Sequence, residues 1–193
     1  NGKTGYAGTC PGITGPDFRP TRSFMIAHNE IECIRDGIAQ LIGRSVRDHT
    51  GVAFFHDQTN VHALTAYQHP SRLVQGYANF QMLFEDMGFQ YNYVTMPQVE
   101  SGILSRGGYR LLVLPSTLAL SRKAADAVAE FVRAGGAVIA DTMPAQYDDR
   151  LRPVPGGSLL SGIMGNPGEV KQVGKGRTLL TKDPVIGYQT VRT

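Results

Sequence analysis

The apolar positions of this chain change their period several times, and each change marks an element. Ile31, Ile34, Ile38, Leu41 and Ile42 recur at the spacing of an amphipathic helix. Asn29, with Glu32 three residues on, suits its start and Gly43 its end. Gly51-Val-Ala-Phe-Phe55 is instead a short unbroken apolar run after a glycine, which reads as a buried strand, and the polar His56-Asp57-Gln58 reads as the loop that ends it. Helical spacing returns in Leu73, Val74, Tyr77, Phe80, Leu83 and Phe84, closed by Gly88. Tyr91 to Val94 makes a second strand. Tyr109-Arg-Leu-Leu-Val-Leu-Pro115 makes a third, nearly continuous in apolar residues as a strand covered on both faces should be. Ser121 then caps a helix whose inward positions are Ala124, Val128, Phe131 and Val132, ending at Gly135-Gly136, and Ala137-Val-Ile-Ala140 is the fourth strand.

Strands that alternate with helices pair in parallel through right-handed crossovers. The expected fold is therefore α/β: a doubly wound, mostly parallel sheet of flavodoxin-like order with helices on both faces. In it the strands at Val52 to Phe55, Leu111 to Leu114 and Val138 to Ile139 are central neighbours. Beyond Asp141 the pattern dissolves into a loop with Pro144, Pro153, Pro155 and Gly156-Gly157, followed by a short helix around Leu159 to Met164. Gly174-Lys-Gly-Arg177 is a tight turn feeding a last strand, Thr178 to Thr181. Before the first helix, glycines at 2, 5, 8, 12 and 15 and prolines at 11, 16 and 20 favour an irregular segment. The chain thus divides into an extended arm, 1–26, which has the look of the tail of something upstream, and an α/β domain, 27–193.

Composition narrows the classes of function. With 193 residues, 41% hydrophobic and 18% charged, the chain can bury a full core without staples. The net charge of +3 is small and its cations are scattered, Arg44 and Arg47 lying at a helix end, so no nucleic-acid partner is expected. No apolar run reaches membrane-spanning length and residues 1–20 lack the pattern of a signal peptide, so no membrane partner is expected and the location expected is the cytoplasm. Two cysteines, Cys10 and Cys33, are too few for a disulfide framework and read as free thiols.

The stretch from about Asn29 to Asp141 resembles the middle (trimerisation) domain of family 42 type β-galactosidases, itself similar to a class I glutamine amidotransferase fold. The carriers are Val52-Ala-Phe-Phe55, Phe84-Glu-Asp-Met-Gly88, Tyr109-Arg-Leu-Leu-Val-Leu-Pro115, and Leu120-Ser121 leading to Phe131-Val-Arg-Ala-Gly-Gly136, with Gly174-Lys-Gly176 near the end. The resemblance implies a non-catalytic domain that packs subunits together, a trimer being favoured over a dimer, in a β-galactosidase-like glycoside hydrolase of carbohydrate metabolism. A catalytic barrel lying upstream supplies the carboxylates in such enzymes, and the arm before Ala27 has no room for one. The rival reading is a stand-alone enzyme or small-molecule-binding protein of amidotransferase-like fold. The arm and the loop from Met143 to Gly157 are the expected contributors to a subunit interface, as segments of poor internal packing.

The residues themselves offer little chemistry. A glycosidase needs two carboxylates of opposed protonation flanking one bond, and Glu30, Glu32, Glu85 and Glu130 sit on helices where a solvated face is the simpler reading. The turn after the fourth strand, where an amidotransferase-like enzyme carries its nucleophilic cysteine, is Asp141-Thr142. Gly8-Thr-Cys10-Pro-Gly12 spells a nucleophile elbow, but no strand precedes it and no helix follows. No catalytic residue is therefore assigned. Open α/β sheets bind ligands outside the carboxyl ends of their strands. That rule selects His56, Asp57, Gln58, Ser116, Thr117, Asp141 and Thr142 as ligand-binding candidates, residues that serve equally as helix caps and loop hydrogen-bond partners. His56, His62 and Asp57 lack the further ligands of a metal site, and Gly174-Lys-Gly176 precedes a strand and not the helix a phosphate loop needs, so no metal or cofactor is expected.

Overall fold

The computed structural model describes residues 19–35, 37–45, 49–67 and 70–181. The chain forms two compact units, Asn1–Arg47 and Asp48–Thr193. No helix among the described residues is long and apolar enough to cross a membrane.

In the first unit the described residues form two helices, α1 (Arg22–Arg35) and α2 (Ile38–Arg44). The helix starts earlier than the Asn29–Glu32 pattern suggests. Thr21 Oγ accepts from the Phe24 N–H, 3.2 Å away, satisfying an amino-terminal donor that has no partner within the helix, and Asn29 falls mid-helix. The single helix expected to run to Gly43 is divided at Gly37, whose φ of −121° and ψ of −97° are not helical. Met25, Ile26, Ile31, Ile34, Ile38, Leu41 and Ile42 are all exposed. Cys33 lies on α1, and Cys10 with its flanking glycines lies outside the described residues.

The second unit is built in chain order from β1 (Val52–Phe55), α3 (Gln58–Ala66), α4 (Pro70–Asp86), β2 (Tyr91–Val94), α5 (Met96–Glu100), α6 (Ile103–Arg106), β3 (Leu111–Leu114), α7 (Arg122–Ala134), β4 (Ala137–Ala140), β5 (Val170–Val173) and β6 (Gly176–Leu180). Its sheet has the order β2-β1-β3-β4-β6-β5, parallel throughout except that β5 runs antiparallel to β6 at the edge. This is the doubly wound, mostly parallel, flavodoxin-like sheet expected. β1, β3 and β4 are central neighbours, with Val52 opposite Leu111 and Leu111 opposite Ala137.

Alternation within the strands sorts the core into two faces. Ala53, Phe55, Leu112, Leu114, Val138, Ala140 and Leu180 turn one way, into a cluster completed by Val99, Leu104, Val128, Phe131, Val132, Leu160, Ile163 and Met164. Val52, Phe54, Tyr91 and Val113 turn the other way, under Phe80 and Phe84 of α4, whose rings stand nearly perpendicular to Phe54 at centroid distances of 6.4 and 5.3 Å. On that second face Ile139 and Leu179 are only half-buried. With Leu111, Ala137, Arg110 and Arg177 they line a cavity of about 390 Å³.

Three segments differ from the sequence reading. Gln58 does not lie in a loop but opens α3. Leu159 to Met164 forms a single turn, with Met164 N–H donating to the Leu160 carbonyl, and not a helix. The loop from Met143 to Gly157 is well packed over its first part: Ala145 is fully buried, Ala145 N–H donates to Thr117 O, and Tyr147 bonds both ways with the Leu118–Leu120 segment. Only its distal residues 149–150, 152–153 and 155–157 are exposed. Gly174 and Lys175 form the two-residue turn between β5 and β6, Gly174 having a positive φ of 60°, so this motif is a hairpin turn.

Candidate functional site

The carboxyl ends of β1, β3 and β4 meet in a buried polar cluster. Asp57, two residues beyond the end of β1, caps α3: Oδ1 accepts from Thr59 N–H at 2.9 Å, while Oδ2 accepts from Met96 N–H at 3.0 Å at the start of α5. One carboxylate thus satisfies donors of two helix starts. One turn into α3, Asn60 is fully buried. Its Nδ2 donates to the Ser116 carbonyl at 3.1 Å and its Oδ1 accepts from Leu118 and Ala119 N–H at 2.7 and 3.3 Å, clamping the chain where it leaves β3.

At that exit Ser116 is held at φ 42°, a left-handed conformation that a non-glycine residue adopts only when its surroundings impose it. Asp141, directly after β4, imposes it. Asp141 Oδ1 accepts from Ser116 N–H at 2.5 Å and Oδ2 from Ser116 Oγ at 2.9 Å, with both residues buried. Helix α4 crosses above this pair at Gly76. A β-carbon there would stand 2.6 Å from Ser116 Oγ and 2.9 Å from Asp141 Oδ2, so only glycine permits the approach. Thr117 Oγ donates to the Pro115 carbonyl at 3.2 Å, and Thr142 is half-buried. Tyr77, one residue beyond Gly76, donates its hydroxyl to the Phe55 carbonyl at 2.9 Å. Burial pushes the Tyr77 phenol up. The Asn60 side chain opposes that shift, and the negative charges of Asp141 and Asp57 add to it.

Ser116, Thr117 and Asp141 are therefore brought together, with Asp57 tied to them through the first turn of α3. His56 and Gln58 point elsewhere. Gln58 Nε2 lies 3.1 Å from His62 Nε2 on the exposed side of α3. His56 is exposed, its ring edge-on to Tyr77 and Tyr93 at 5.1 and 6.0 Å, beside a second cluster with Gln81. Asn60, Gly76, Tyr77, Gln81 and Tyr93 did not stand out in the sequence. The signal for Asn60 was available: Asp57 before Val61 and Leu64 is the pattern of a capped helix start.

Chemically the buried cluster is spent on itself. Stabilising an oxyanion needs N–H donors aimed at empty space where charge will develop, and the Ser116 N–H at this strand end is taken by Asp141. The Asp141 carboxylate is an acceptor for its neighbour Ser116. Among the described residues no group of three His, Cys, Asp or Glu side chains is placed to hold a metal.

The fold and this strand-end cluster define a flavodoxin-like α/β unit. No family model matches the chain, and no curated protein matches it. Solved structures do. A GH42 β-galactosidase from G. stearothermophilus, solved as a catalytic mutant, superposes with a TM-score of 0.58 at 21% identity, over 83% of this chain and 23% of that one. The β-galactosidase of the Antarctic haloarchaeon Halorubrum lacusprofundi gives 0.54 at 23% identity, over the same shares. The chain therefore spans about a quarter of the length of these enzymes and shares its fold with that part of them.

Proposed function

We propose that this chain is a non-catalytic module of a β-galactosidase-like glycoside hydrolase, one that joins subunits together, with a trimer as the assembly and a catalytic barrel elsewhere in the parent protein. The observation that carries the reading is the fold shared with about a quarter of two β-galactosidases. Two further features support it. The strand-end cluster has its Ser116 N–H and Asp141 carboxylate engaged with each other, which leaves the domain without an evident nucleophile or oxyanion donor there. The amino-terminal helices expose Ile31, Ile34, Ile38, Leu41 and Ile42, an apolar stripe that gains from a cover, as does the half-buried apolar strip of Ile139 and Leu179. A stable cover should bury more than about 1,000 Å² in total.

Sedimentation equilibrium of the whole chain over a wide concentration range tests the association. The expected result is a reversible monomer–trimer equilibrium, and a strict monomer at high concentration in a folded sample would refute it. The same sample is expected to hydrolyse neither aryl-galactosides nor glutamine. Turnover of either that survives purification to homogeneity would favour the rival reading, a stand-alone amidotransferase-like enzyme. One observation speaks for that rival: the positive φ of Ser116 is the kind of strain that strand-end turns store at reactive residues. Ser116→Ala, which removes the hydroxyl, is expected to leave the absence of turnover unchanged.

A further inference from the structure

We propose that the cup formed by His56, Tyr77, Gln81 and Tyr93 is a binding site for a neutral pyranose ring. The proposal goes beyond the subunit-joining reading and does not depend on it, because it stands on the side chains of the cup alone.

The cup arises from the way α4 crosses the sheet. Tyr91 and Tyr93 alternate onto the same face of the edge strand β2. The carboxyl-terminal half of α4 covers Tyr91 with Phe80 and Phe84 around Phe54, whereas Tyr93, beside the carboxyl edge, stays 44% exposed. Tyr77 and Gln81, four residues apart on α4 and hence on one flank, form the opposite wall, and His56, leaving β1, closes the end. The space at the cup, open to solvent on one side, is about 310 Å³, at the lower end of the range of roughly 300–1,000 Å³ for small-molecule sites. That is room for one ring and not for a chain of them.

Among the described residues the lining is mostly aromatic and carries no carboxylate, ammonium or guanidinium. Its rings are held in place. Tyr93 stands edge-on against Phe54 and Tyr91, at 6.2 and 5.8 Å, and His56 stands edge-on to Tyr77 and Tyr93 with interplanar angles of 84° and 67°. Rings so inclined make a corner and not a parallel slot. A flat nucleobase finds no two faces to lie between, whereas a puckered ring can set its C–H side against one aromatic face and its edge against another. The polar groups are equally specific. The Tyr77 hydroxyl is committed inward to the Phe55 carbonyl, so this residue supplies an apolar floor. Gln81 Nε2 meets the Tyr93 hydroxyl, which also hydrogen-bonds the Tyr91 side chain, so the Gln81 carbonyl is the group of this pair that remains for a ligand. The His56 imidazole, exposed at the rim, adds one donor and one acceptor. Neutral groups that both donate and accept, spaced around an apolar corner, match a ligand with hydroxyls around an apolar ring face.

The test is saturation-transfer NMR on the whole folded chain with methyl β-galactopyranoside and methyl β-glucopyranoside as probes, and with choline as a cation of similar size. The expected result is saturation of the ring protons of at least one glycoside, with an affinity of about 1 mM, typical of a single ring in an open site. Tyr93→Ala and Gln81→Ala should each weaken binding about tenfold or more while melting close to the parent, since both side chains lie at the surface of the fold. Tyr93→Phe, which keeps the ring, should lose less than Tyr93→Ala. Three outcomes would overturn the proposal: no transfer to either glycoside at tens of millimolar with folded protein, glycoside binding indifferent to both alanine changes, or choline binding without glycoside binding, which would make the cup an aromatic cage for a cation. Association is measured separately and uses none of these residues, so failure of the cup leaves the subunit-joining reading intact, and the converse holds.

Discussion

Replacing Asn60 by alanine should destabilise the second unit by about 4 kcal/mol, and the figure follows from counting what the side chain holds. Asn60 is fully buried and makes three hydrogen bonds: to Ser116 O at 3.1 Å, from Leu118 N–H at 2.7 Å and from Ala119 N–H at 3.3 Å. Leu118 N–H and Ser116 O also bond each other at 3.1 Å, so both keep a partner after the change. Ala119 N–H would be left buried without one among the described residues. An orphaned buried donor costs about 1–3 kcal/mol, each of the other two lost bonds about 0.5–1.5 kcal/mol, and the vacated space adds to the sum. Against a total stability of roughly 5–15 kcal/mol this is a large fraction. At about 2–4 °C per kcal/mol for a unit of this size, the melting temperature should fall by roughly 10 °C. The assay is urea and thermal unfolding followed by circular dichroism, with Gln58→Ala as the neighbouring control. Gln58 is exposed, and its loss should change stability by less than about 0.5 kcal/mol. An Asn60→Ala protein melting within roughly 2 °C of the parent would show that the β3 exit is held by something other than this amide.

Other changes probe the same architecture. Val113→Asp would place an unpaired carboxylate among Val52, Phe54 and Phe80 in the centre of the sheet and should prevent folding, so a soluble variant with a cooperative melt would refute the packing described. Gly76→Ala should cost roughly 1–3 kcal/mol, because the new methyl group must push Ser116 Oγ or Asp141 aside; a melt unchanged from the parent would mean that α4 does not approach so closely. Gly176→Ala should be worse, its methyl lying 2.1 Å from the carbonyl oxygens of both Gly136 and Val132, where only backbone could yield, and loss of soluble protein is the expected readout. The half-buried Asp148 carboxyl is held below its ordinary value, first by the Arg152 backbone N–H, then by the Arg152 side chain, with the Arg150 N–H also contributing. A depressed acid favours the folded state above its unfolded pKa and loses that contribution as pH falls through the folded pKa. NMR titration should therefore find Asp148 ionising below free aspartate, and Arg152→Gln should move it up only in part because the backbone donors remain.

The parts of this protein legible in its sequence are those whose burial is decided locally. β1, β3 and β4 are apolar runs because both faces of a central parallel strand are covered, and α7 shows its inward stripe and its Ser121 cap, which accepts from Ala124 N–H at 3.0 Å. From these alone the doubly wound sheet follows, since parallel strands leave few connections open. The elements missed carry weak local signals. α3 has only Ala63 and Leu64 fully buried among its apolar residues, α5 and α6 are one turn each, and the edge strand β5 alternates between exposed and half-buried positions because only one neighbour pairs with it. The strand-end rule selected Ser116 and Asp141, which the fold brings into contact, yet it was silent on what they do there. That Asp141 takes the Ser116 N–H, that Asn60 braces the exit from 56 residues away, and that Gly76 must be bare to pass above them all depend on where α3 and α4 settle on the sheet. The same is true of the cup: Tyr77 and Gln81 announce themselves only as neighbours on a helix, and Tyr93 as an outward residue of an edge strand. Packing decides that they face His56 across one space, because contacts between distant segments are set by how the elements fit together and leave no pattern within either segment.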